Sequence, residues 1–256
     1  MKIPVELSIG QIEINLHLLF EVLGYFIGFR YFLYLKKTKS DIISESNRIW
    51  ILIGASAGSL LFSRLIGALE NPIEWSEAKY PFLYFYQNKT ILGGLLGGLL
   101  GVELIKKIIH EKNSSGDLFT YPLILSIMIG RMGCFTSGIK ENTYGTPTSF
   151  FTGLDLGDRI QRHPVALYEI GFLFLVCLIL LQINKKSALK NGYTFQIFMI
   201  AYLIYRFFQE FIKPSYFFNF GLSTIQITAL IGLIYYYKTI FIILLNPSKL
   251  TQDVNN

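Results

Sequence analysis

Charge is scarce in this chain. Asp, Glu, Lys and Arg make up 16% of its 256 residues, against about 25% in an ordinary soluble domain, which excludes a fold wetted on every side. Cysteine is nearly missing. Cys134 and Cys177 are too few for a disulfide framework, and neither sits in a CxxC of the metal-binding kind. No metal site and no cofactor are expected. The opening "MKIPVELSIGQIEI" has no apolar h-region and no small-residue cleavage site, so no cleavable leader is expected there. Long repeats and paired broken helices are lacking too, which speaks against a secondary transporter. The net charge of +6 would suit nucleic acid, but loop bias in a membrane protein produces the same excess, and no nucleic-acid partner is expected.

What the chain does have is apolar bulk: 52% of its residues are hydrophobic and 16% aromatic. They gather into blocks near the roughly 20 residues that cross a hydrocarbon core. These blocks predict an all-α, polytopic membrane protein, one transmembrane domain over 1–256 with seven spans. The spans fall at about 13–35, 49–69, 90–109, 118–133, 164–183, 193–212 and 222–245, with the usual uncertainty of about 2–4 residues. Basic residues alternate between the loops. Lys36, Lys37, Lys39 and Arg48 follow the first span, Lys106, Lys107 and Lys112 the third, and Lys185, Lys186 and Lys190 the fifth. The positive-inside rule makes these loops cytoplasmic, so the N terminus is expected outside and the C terminus in the cytoplasm. The loop at 134–163 then faces outward. Its aromatics and turn residues predict an ordered loop, since long connections of this kind are usually functional or disordered.

Ionisable residues inside the apolar blocks carry the most information, because each costs at least roughly 2.5–3.5 kcal/mol at a helix centre and so tends to pair or face a polar cavity. They include His17, Glu21, Arg64, Arg131, Glu169, Arg206 and Glu210. Arg206 and Glu210 stand i, i+4 on one helix face, with Tyr202 a turn earlier. They suit either a structural ion pair or a polar site. Arg131 lies in "GRMGCFTSGIKENTYG", bracketed by Gly130 and Gly133, with no acid within a turn of it in sequence. A planar guanidinium among exposed backbone N–H groups suits a phosphate. The other reading is an arginine snorkelling to the interface. Two readings also stand for "LGGLLGGLLG", where Gly93 and Gly94 either allow close helix packing or receive a lipid headgroup. Cys134 reads as a small buried residue or, beside Arg131, as a nucleophile. His163 reads as an interfacial cap or as a base.

These segments resemble the motifs of the prolipoprotein diacylglyceryl transferase family. "GRMGCF" is similar to its "GRxGNF", "SIGQIEINLH" to "SIGPxxLHWYG", and "LGGLLGG" to "HGGLxG". "RHPVALYE" is similar to "RHPSQLYE", "YLIYRFFQEFIKP" to "YxxxRFxxEFxRxPD", and "LSTIQITAL" to "GQxLSxxM". Six motifs in order span nearly the whole chain. The resemblance implies a multi-pass protein of the bacterial inner membrane that moves a diacylglyceryl group from phosphatidylglycerol to the lipobox cysteine of a prolipoprotein signal peptide. It implies that Arg131 and Arg206 bind the headgroup phosphate and stabilise its departure. Tyr202, Glu210, Gly93, Gly94, Gly133 and Gly138 would complete the lipid site, and His163 is a candidate base beside His17. The chain departs from the family at Leu92, where the family has the histidine of "HGG", and at Cys134, where it has the asparagine of "GNF". Ser137 replaces the next signature asparagine, the motif glutamate falls on Glu141 only with a small insertion, and the tyrosine of "HWYG" has no clean match. The alternative is a phospholipid-binding or transport protein that keeps the fold without the reaction.

Overall fold

The computed structural model describes residues 3–5, 7–9, 12–39, 41–141, 143–187 and 189–251. Gly10 and Gln11 of the first motif, and the outermost residues at both termini, lie outside that set. A short antiparallel hairpin, β1 (Leu7–Ile9) with β2 (Ile12–Ile14), leads into α1 (Leu16–Thr38), and α2 (Glu45–Leu69) follows. Two one-turn helices come next, α3 (Pro72–Glu77) and α4 (Pro81–Gln87), each started by a proline, whose preset φ and missing N–H cost nothing at a first helical position. The chain continues through α5 (Ile91–Ile108), α6 (Asp117–Ser137), and a hairpin of β3 (Leu154–Asp155) and β4 (Gln161–Arg162). It ends with α7 (Val165–Lys186), α8 (Tyr193–Gln209), α9 (Thr224–Tyr235) and α10 (Tyr237–Leu245).

Helices stand at all seven predicted places. By length and composition five of them could cross a membrane: α1, α2, α6 with the turn after it, α7, and α8 with the turn after it. A sixth is reached if α9 and α10, bent by 67°, count as one span. The remaining helix, α5, carries Glu103, Lys106 and Lys107 within its 18 residues. This is an all-α, polytopic membrane protein.

The helix starts are written in the sequence. Asn15, Ser44 and Thr90 each accept a hydrogen bond from a first-turn N–H of the helix they precede, and Ser223 and Gln226 form a reciprocal capping box on α9, satisfying donors that a helix cannot. One cap is tertiary. Asp117, at the start of α6, accepts from the backbone N–H groups of Gly192 (2.6 Å) and Phe195 (2.9 Å), at the start of α8. That contact and those of Arg48 with Ser115 and of Asn47 with Glu111 gather the loops after α1, α5 and α7 at one end of the bundle. The other end joins Thr90 to Ser63, Thr146 to Ile212, and Thr224 to Leu69.

One expectation is corrected here. The fourth helix does not stop at 133. It runs to Ser137, and Gly138, at φ +57°, turns the chain out of it. The backbone around Arg131 is therefore helical, its N–H groups largely spent within the helix rather than offered to an anion. Gly93, Gly94, Gly133 and Gly138 also stand at close contacts. A Cβ on Gly93 would strike the Phe62 carbonyl, one on Gly94 would press on Ser59, and one on Gly138 would overlap the Leu156 carbonyl. At Gly133 it would meet Phe20 at 3.0 Å and the backbone of His17. Small residues let backbones approach where lipid supplies no hydrophobic drive between helices. Through them α5 lies on α2, and α6 on α1.

Candidate functional site

The end of the bundle away from the basic loops holds a buried charge cluster. Arg131 comes from α6, Glu169 from α7, Tyr202 and Arg206 from α8, and Glu210 from the turn that follows α8. Glu169 is the centre. Its Oε2 lies 2.9 Å from Arg131 and 3.7 Å from Arg206, and its Oε1 accepts the Tyr202 hydroxyl at 2.7 Å. The two guanidinium groups thus share one oxygen atom although 75 residues separate them in sequence. Glu210 lies 3.7 Å from Arg206 and 3.4 Å from Lys213, and accepts from the hydroxyls of Ser215 and Ser223. Exposure is 9% for Arg131, 3% for Arg206 and 1% for each carboxylate.

The charges do not cancel. Three cations, Arg131, Arg206 and Lys213, face two carboxylates, Glu169 and Glu210. Glu70, just past the end of α2, feels all three cations, yet loss of hydration pushes its carboxyl up, toward the neutral acid. Counted over the ion-paired side chains alone, the cluster holds one cation more than it holds carboxylates. The Nε atoms of both arginines are buried and, among the described residues, lack a hydrogen-bond partner. Buried donors left unmade are costly.

The other expected residues fall elsewhere. His163 leads into α7 through Pro164, and its Nδ1 lies 3.2 Å from the Tyr168 hydroxyl, which also contacts Thr152. Its backbone exchanges hydrogen bonds with Gly145 and Thr146, so it anchors the 138–164 connection, and it takes no part in the ion pairs of Arg131, Glu169 and Arg206. Within that connection Asp155 accepts from the N–H groups of Gly157 and Arg159, and Arg162 holds Asp158, which keeps the Asp158 carboxyl below its usual range. Leu92 is fully buried. Cys134 lies 3.7 Å from Arg131 and also interacts with the ring of His17.

Sequence reasoning assigned Glu169 no role. Its signal was there: an acid in an otherwise apolar helix, closing "RHPVALYE". Its partners were not, because they lie on other helices.

Fold and site together define a polytopic helical membrane protein with a buried charge cluster built from three helices at one end of the bundle. Comparison with known proteins gives the family. The family model for prolipoprotein diacylglyceryl transferase matches residues 4–244, and the chain belongs to that family. Among similar proteins, the phosphatidylglycerol–prolipoprotein diacylglyceryl transferase of Wolbachia pipientis is 31% identical, with 83% of each chain covered. The protein of the same name from Finegoldia magna is 29% identical over 80% of this chain and 82% of its own. That of Campylobacter hominis is 26% identical over 98% and 94%.

Proposed function

We propose that this protein transfers a diacylglyceryl group from phosphatidylglycerol to the lipobox cysteine of prolipoproteins, in the bacterial inner membrane. The observation that carries the reading is the excess positive charge of the cluster, which matches the single negative charge of a phosphodiester. It stands on the positions where the family motifs put their arginines. In this reading Arg131 and Arg206 hold the headgroup phosphate, with Tyr202 beside it and Glu210 setting the orientation of Arg206. The acceptor thiolate attacks the glyceryl carbon, the carbon–oxygen bond to phosphate breaks, and glycerol phosphate leaves with the electron pair. Negative charge grows on the leaving oxygen, where prearranged cations stabilise the transition state most.

The same reading makes 1–256 one transmembrane domain of seven spans, with α5 as the third and α9 with α10 as the last. The N terminus lies outside, the C terminus in the cytoplasm, and the 138–164 connection covers the outer face. Clustering of the loops after α1, α5 and α7 at the end opposite the arginines supports this. An alkaline phosphatase fusion at Lys186 is expected to be inactive and a fluorescent-protein fusion there bright. The reverse pair of signals would overturn the orientation.

Labelled phosphatidylglycerol, a lipobox peptide and the purified protein test the activity. Label on the peptide thiol is the expected result. One observation favours a second reading: Leu92 is buried where the family carries a histidine, and it can take no proton. Tight phosphatidylglycerol binding with no transfer to any thiol peptide would make the protein a phospholipid-binding member of the fold.

A further inference from the structure

The chain has three histidines, and Leu92 supplies none where the family motif does. His110 follows α5, on the side of Lys106 and Lys107 and away from the cluster. His163 is engaged by Tyr168. His17 is placed differently. It sits in the first turn of α1, whose backbone there lies against Gly133 of α6, two residues from Arg131. Its ring interacts with the Cys134 thiol, and that sulfur lies 3.7 Å from the Arg131 guanidinium. Among the described residues Nδ1 of the ring has no hydrogen-bond partner, and it stands 3.9 Å from Glu141, while Nε2 stands 4.0 Å from Glu21. Glu21 is itself paired with Lys89.

We propose that His17 is a catalytic residue of the transfer, the base that takes the proton of the acceptor thiol, with Glu141 as the positioning residue that orients its ring. The inference rests on the transferase reading above and deepens it. The geometry has the parts that thiol activation requires: Nε2 of the imidazole to take the proton, the Glu141 carboxylate at Nδ1 on the other edge of the ring, and, two residues from the Gly133 contact, the Arg131 guanidinium that would hold the leaving phosphate. The thiol S–H bond breaks toward the ring nitrogen, the sulfur forms the bond to the glyceryl carbon, and the electron pair of the broken C–O bond goes to the phosphate oxygen. The imidazolium then returns its proton to the departing glycerol phosphate or to water, so the step balances with no further reactant. Cys134 sits beside the base as part of its surroundings and is not consumed; a thioether formed on it would have no route onward to a second thiol.

The test uses the full-length protein in phosphatidylglycerol vesicles with a lipobox peptide. His17→Gln is expected to lower the transfer rate by roughly 10²–10⁴-fold, the range for losing a general base, with phosphatidylglycerol binding unchanged. In His17→Ala, added imidazole should recover part of the rate. Glu141→Gln should lower the rate less and displace the acidic limb of the pH–rate profile, a readout set by the groups that face the ring: Glu21 and Glu141, Cys134 from α6, and Lys89 through Glu21. His163→Gln should cost less than about tenfold by the same scale. Full transfer by His17→Gln, or loss confined to His163→Gln, overturns the assignment while leaving the transferase reading in place. Absence of transfer by the unaltered protein overturns both. Binding retained by His17→Gln separates lost chemistry from lost folding, and failure of imidazole to restore any rate to His17→Ala counts against the base.

Discussion

Replacing Arg131 with Ala is expected to lower diacylglyceryl transfer by about 10³-fold or more, beyond the roughly 10²–10³ seen for one transition-state donor, because in the proposed mechanism this side chain both holds the phosphate and stabilises its departure. The loss should be one of chemistry rather than of folding. Without Arg131, Glu169 still has Arg206 at 3.7 Å and the Tyr202 hydroxyl at 2.7 Å. The remaining charges, Arg206 and Lys213 against Glu169 and Glu210, balance to zero. The cluster therefore survives but no longer has a positive charge to offer an anion. Arg131→Lys should recover only part of the activity, since lysine restores the charge without the planar fork that matches phosphate. Label transfer measured alongside phosphatidylglycerol binding checks this. An alanine variant working within tenfold of the unaltered protein would remove Arg131 from the mechanism.

Glu169→Ala should strike stability instead. It leaves Arg131 and Arg206 buried with no carboxylate between them. Breaking a buried ion pair from one side costs about 3–5 kcal/mol, most of it the exposure of one uncompensated charge to a low-dielectric interior. In a chain of this size that corresponds to a fall in the unfolding midpoint on the order of 10 °C. Glu169→Gln keeps an acceptor for Tyr202 but not the charge, and should lie close to the alanine variant. Adding Arg131→Ala to Glu169→Ala removes the stranded cation, since Arg206 keeps Glu210 at 3.7 Å, so the double variant should lose less than the sum of the singles, as expected for residues in one network. Thermal unfolding in detergent measures all three. A loss below about 1 kcal/mol for Glu169→Ala, the size of an exposed pair, would mean that water reaches the cluster.

Much of this protein is legible from one dimension. Apolar blocks of membrane-crossing length predict the helices, and Asn15, Ser44, Thr90 and Ser223 mark helix starts, because both signals are local: burial periodicity and the first turn's unmet N–H groups lie within a few residues of their cause. Arg131 and Arg206 stand out as charges in apolar surroundings for the same reason. Their common partner does not. Glu169 is 38 residues from Arg131 and 37 from Arg206, and only the packing of α6, α7 and α8 brings the three to one point. His17 is farther still, reaching Cys134 because Gly133 lets α1 lie against α6.

The end of α6 shows where local reading misleads. Two glycines, an arginine and a cysteine suggest a helix end and a turn, since glycine weakens an isolated helix. Packing against α1 outweighs that cost, the helix runs on to Ser137, and the expected nest of free N–H groups disappears. Composition and local pattern alone determined that the chain is a helical membrane protein, where its helices lie, and which arginines stand out, since those properties depend on residues near one another in sequence. Tertiary structure decided which acid each arginine meets, that the glycines stand at close contacts, and that His17 lies against Gly133 while His163 meets Tyr168. Each of these is a contact between distant helices, and its energy exists only once both are buried against each other.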